Sequence, residues 1–92
     1  MSDIPTWWVI FHEPNPAQMD IVAVEPAPTD PDHQDARCAE FTRAGQRVYV
    51  ITATDPDAAS DIAGRVWAKE LVTTPSRLAA ADAYLAANAR TE

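Results

Sequence analysis

Thr6-Trp7-Trp8-Val9-Ile10-Phe11-His12, bounded by Pro5 and Pro14, is an apolar run rich in β-branched and aromatic residues, and it reads as a strand. Alternation places Trp7, Val9 and Phe11 on one face and Trp8, Ile10 and His12 on the other. Both sets are apolar. A strand with one face in water would carry polar residues at every second position. The sheet built around this run therefore has two faces to cover.

Working outward, Glu13-Pro14-Asn15-Pro16-Ala17-Gln18 reads as a loop, because two prolines remove two ladder donors. Met19-Asp20-Ile21-Val22-Ala23-Val24-Glu25 reads as the second strand, joined to the first as an antiparallel hairpin. With residues 13–18 as the hairpin loop, His12 lies opposite Met19. That register pairs Ile10 with Ile21 and Trp8 with Ala23 on one face, and Val9 with Val22 and Trp7 with Val24 on the other. Residues 26–36 hold three prolines and three aspartates and read as an exposed, semi-stiff loop. A short strand is expected over 37–42, a turn at Arg43-Ala44-Gly45-Gln46, and a clear strand at Arg47-Val48-Tyr49-Val50-Ile51-Thr52-Ala53.

Thr54-Asp55-Pro56-Asp57 starts a helix. Asp55 can cap, Pro56 suits the first helical position, and Asp57 complements the positive end of the dipole. Ala59, Ile62, Ala63, Val66, Trp67 and Leu71 follow at helical spacing, predicting a helix over 55–72 with one apolar stripe. Asp61 and Arg65 form an i,i+4 pair, and Gly64 suggests close packing in the helix interior. Thr73-Thr74-Pro75 opens a second helix over 75–89, with Leu78, Ala81, Tyr84 and Leu85 inward. The expected fold is α+β: one domain with a small antiparallel sheet of three to four strands at 6–53, followed by two C-terminal helices packed on one face.

Composition narrows the function classes. The chain of 92 residues carries 14 acidic against 7 basic side chains, a net charge of −7. Residues 1–46 hold eight acids and two bases, so the acidity belongs to the front half. No clustered Lys and Arg exist to neutralise phosphates, so direct nucleic-acid binding is not expected, and an anionic membrane would repel the front half. No apolar run approaches the ~20 residues that span a bilayer. The start of the chain shows neither the basic nor the apolar region of a signal peptide, and a cytoplasmic location is expected. Arginine outnumbers lysine, which reflects GC-rich codons rather than function.

Asp30, Asp32, His33 and Asp35 resemble the start of a calcium loop, but Asp35 stands where that loop needs Gly and Phe41 where it needs a bidentate Glu. A solvated acidic loop is the plainer reading. Cys38 could pair with His33 or His12 as a nucleophile, yet a lone cysteine is usually a small apolar core residue. Asp55, Asp57 and Asp61 are explained by helix capping and the dipole. Two glycines leave no phosphate-cradling loop, and one cysteine leaves no internal disulfide. No metal, no cofactor and no catalytic group is expected.

The expected role is a non-enzymatic protein-interaction module that self-associates as a homodimer or binds another protein. The expected surface is the second sheet face, carrying Trp8, Ile10, His12, Ile21, Tyr49 and Ile51, with the aliphatic face of Val48 and Val50 under the helices. One alternative is an acidic nucleic-acid mimic on a basic protein site, disfavoured because the acids sit in loops. A second is a small enzyme without a recognisable motif.

Overall fold

The computed structural model describes residues 4–89. Strands β1 (Thr6–Asn15), β2 (Gln18–Pro26) and β3 (Arg47–Thr52) form one antiparallel sheet in the order β2-β1-β3. Helix α1 (Pro31–Arg43) lies between β2 and β3 in the chain, and α2 (Pro56–Thr73) and α3 (Pro75–Asn88) follow β3. The α+β class, the antiparallel sheet and the two C-terminal helices are as the sequence implies.

The largest correction concerns residues 26–42. The expected exposed loop at 26–36 gives way to a helix at Pro31, and the expected strand at 37–42 is the rest of that helix. The reason is topological. Both β2 and β3 run antiparallel to β1, so they are parallel to each other on opposite sides of it, and a hairpin cannot join them. A crossover is required, and α1 supplies it. Its start is written in the sequence: Thr29-Asp30-Pro31-Asp32 repeats Thr54-Asp55-Pro56-Asp57 letter for letter. Both tetrapeptides open a helix, with Pro at the first turn and an acid behind it. In α2 the Asp55 carboxylate accepts the Ala58 N–H at 2.8 Å, whereas Asp30 makes no side-chain cap bond. Helix α1 ends in a Schellman-type closure. Gln46 N–H donates to Phe41 O at 2.8 Å, and Gly45 takes φ +74°, which only glycine adopts without strain.

The hairpin register also differs. The loop is only Pro16–Ala17, with Asn15 Oδ1 accepting the Ala17 N–H at 2.9 Å. Val9 therefore faces Val24, Ile10 faces Ala23 and Trp8 faces Glu25. Two irregularities absorb the mismatch: Val22 has no partner of its own, and Glu13 and Pro14 together oppose Met19. Pro14 is accommodated at that second site, where the ladder is already broken.

Each sheet face has its own helix. On the Val9 face, Val9, Ile51, Ala53, Ala59 and Ala63 form a cluster under α2, flanked by Trp7, Tyr49, Ile62 and Val66. Helix α3 packs on α2 and buries Ala81, but Leu85 points outward at 54% exposure, against expectation. On the opposite face, Trp8, Ile10 and Phe41 form a second cluster, with Cys38 and Val48 packed against it. The Phe41 ring meets Trp8 edge-on, with centroids 6.0 Å apart.

Trp8→Ala removes the largest side chain of the α1-side cluster and should lower unfolding free energy by about 3 kcal/mol or more in urea titration; a variant as stable as wild type would show that α1 does not seal this face. Gly64 was expected to mark close packing, yet a Cβ there meets nothing within 4 Å. Gly64→Ala should therefore stabilise the protein by ~1 kcal/mol in the same titration.

Candidate functional site

The six sequence candidates do not converge on one surface. Trp8, 6% exposed, and Ile10 are sealed beneath α1, so the face expected to meet a partner is covered by the chain itself. Tyr49 and Ile51 lie on the opposite face, because Tyr49 faces Val9 and Ile51 faces Trp7. Val48 and Val50, expected on the Val9 face under the C-terminal helices, lie instead on the Trp8 side, because Val48 faces Ile10 and Val50 faces Trp8. His12 is half-buried, 3.8 Å from Asp20, and Ile21 is 40% exposed on the outer strand β2.

Helix α1 is held by a paired contact. Arg37 Nε and one terminal nitrogen donate to the two Glu25 oxygens at 2.7 and 3.2 Å, and Glu40 adds a third contact at 3.3 Å. The hydrogen bond to Glu25 raises the Arg37 pKa. Asp30 and Asp32 belong to the helix start. His33 and Cys38 lie five residues apart on α1, about 140° around its axis, which separates the two side chains. Among the described residues, no group of three or more His, Cys, Asp or Glu could hold a metal ion.

Glu13, expected in a loop, is instead the hub of a polar network at the hairpin end. Its Oε2 accepts the Trp67 Nε1–H at 2.6 Å and an Arg77 guanidinium N–H at 2.8 Å, while Oε1 lies 3.5 Å from Arg47. Arg77 also reaches Glu70 at 3.7 Å, and Glu70 accepts the Tyr49 hydroxyl. Continuing the alternation Val9, Phe11, Glu13 would have placed this carboxylate under α2. A cleft of about 360 Å³ opens beside the network, lined by Glu13, Asn15, Pro16, Arg77 and Ala80. Its charged groups are satisfied by one another, so the cleft is a seam between hairpin and helices rather than a built ligand site.

What remains open is the outer edge of β3. Ala53 N–H donates to Pro5 O at 3.1 Å, which sets the parity of the ladder. By alternation, Arg47, Tyr49 and Ile51 bond inward to β1, and Val48, Val50 and Thr52 present N–H and C=O outward. Among the described residues, no other element bonds those outward groups. Val50 is 63% exposed beside them. The other edge, β2, is blunted by its irregular pairing and ends at Pro26. Strand β3 carries no proline, lysine or bulge, the usual protections of an edge.

Comparison of the chain with protein-family models, curated proteins and solved structures returns no match.

Burial and the Glu70 carboxylate push the Tyr49 phenol up from 10.0 to about 12. The fold thus prefers the neutral phenol. The resulting stabilisation is present below pH 10 and is lost as pH rises through about 12. Wild type should therefore lose stability more steeply than Tyr49→Phe across that interval, read as urea midpoints at each pH. Equal slopes would detach Tyr49 from the network.

Proposed function

We propose that this chain is a small, non-enzymatic protein-interaction module that works by strand pairing at the β3 edge. The supporting observation is the outward row at Val48, Val50 and Thr52 on a regular, unblunted strand. Such a row adds a strand from another chain through main-chain hydrogen bonds, with exposed side chains such as Val50 setting preference. The surface differs from the expected Trp8 face, since that face is occupied by α1. No helix among the described residues is long and apolar enough to cross a membrane.

A second reading gains from α1. Acids at Asp32, Asp35 and Glu40 stand on a helix rather than in a loop, which removes the objection to an acidic mimic of nucleic acid. Arg37 and Arg43 on the same helix dilute its charge, so edge pairing is preferred.

The test uses Val50→Pro. The Val50 N–H faces away from β1, so proline removes an outward donor without removing an internal one. Selection of extended peptides against wild type should yield strand-like binders that lose at least about tenfold in affinity for Val50→Pro, with circular dichroism unchanged. Failure to recover any such peptide defeats the edge reading unless the chain pairs with itself. Salt-sensitive binding to a basic protein, unaffected by Val50→Pro, would favour the mimic.

A further inference from the structure

We infer that the strand β3 takes is the β3 of a second copy, paired antiparallel across a two-fold axis through Val50; this rests on the edge reading above. Symmetry restricts the register. Hydrogen-bonded and non-bonded pairs alternate along an antiparallel ladder, and a two-fold axis maps the ladder onto itself. A residue must therefore face its own copy. Among the outward residues Val48, Val50 and Thr52, Val50 is central. With Val50 opposite Val50, Val48 faces Thr52 in both directions, and every outward group of β3 gains a partner. The exposed Val50 side chains meet on the axis and leave water.

Charge selects the same partner. From Phe41 to Thr54 the chain has no acidic residue but carries Arg43 and Arg47, of which Arg47 is paired with Glu13 and Arg43 supplies the charge toward a partner. Asp55 and Asp57 follow directly at the start of α2. The strand is thus basic at one end and acidic at the other. Antiparallel self-pairing brings the Arg43 end of one copy toward the Asp57 end of its partner, twice per dimer. The front half of the chain is acidic, and a second copy approaching through it meets like charge. Pairing at β3 avoids that repulsion.

The experiment is sedimentation of the full chain over a concentration series, with peptide binding measured on the same samples. Wild type should form a concentration-dependent dimer, and Val50→Pro should weaken it by about tenfold or more. Arg43→Glu and Asp57→Arg should each weaken it, and the double exchange should restore it, which a merely structural role of either residue would not do. If Val50→Pro fails to fold, the charge exchange decides alone. A chain that stays monomeric up to about 1 mM while strand peptides still bind overturns self-pairing and leaves the edge reading standing. A dimer indifferent to both Val50→Pro and the charge exchange overturns it too, and moves the interface elsewhere, the outward Leu85 end of α3 being the next apolar surface. Neither dimer nor peptide binding defeats both readings.

Discussion

A central strand that is apolar on both faces must be covered twice, and most of this fold is the consequence. Val9 and Phe11 demand a layer on one side, Trp8 and Ile10 on the other, and all four are buried. A chain of this length buries only roughly 60–65% of its unfolded surface, so leaving either face bare would remove a large share of a small core. Helix α2 covers the Val9 face with Ala59 and Ala63, whose small side chains allow close approach. Helix α1 covers the Trp8 face with one large ring, Phe41, and a paired charge contact from Arg37 to Glu25. The second contact matters because α1 has little else apolar to offer.

The same constraint explains which parts of the fold were legible in the sequence. Period-two alternation in β1 and the stripe of α2 are strong patterns, and both hold in the structure. Helix α1 was hidden because its stripe is thin and its start is crowded with prolines and aspartates, which resemble a loop by composition. The decisive signal was positional rather than compositional: the tetrapeptide that opens α2 also opens α1. The hairpin register departs from expectation because prolines at 14 and 16 have the composition of a longer loop. The structure instead places Pro14 in a pairing irregularity and turns at Pro16–Ala17, and among the described residues only Gly45 takes a positive φ. The Trp8 face was legible as apolar, but which element covers it depends on the crossover, and no local pattern encodes a crossover.

Glu13 shows a different limit. Its role needs three partners, Trp67, Arg77 and Arg47, that are remote in sequence, so only the folded chain brings them together. The carboxylate ties the far end of the hairpin to both C-terminal helices. This tie has weight because α3 has little apolar grip: beyond Ala81 its residues are mostly exposed, and the radius of gyration, 15.4 Å, exceeds the ~12 Å of a compact chain of this length. The polar network therefore ties the start of α3, through Arg77, to the hairpin and to α2.

With both faces closed by the chain itself, binding is left to edges and ends. A protein can blunt an edge cheaply, with a lysine, a proline or a bulge, and β2 carries such devices while β3 does not. That asymmetry within one small sheet is hard to assign to stability. An open edge gains nothing for the isolated chain and exposes it to unwanted pairing. It becomes useful when a specific strand completes it. Completion would also stabilise the folded chain by mass action, since a partner that binds only the folded form shifts the folding equilibrium toward it. In a domain this small that contribution is a sizeable fraction of total stability, so folding and association at β3 would be coupled.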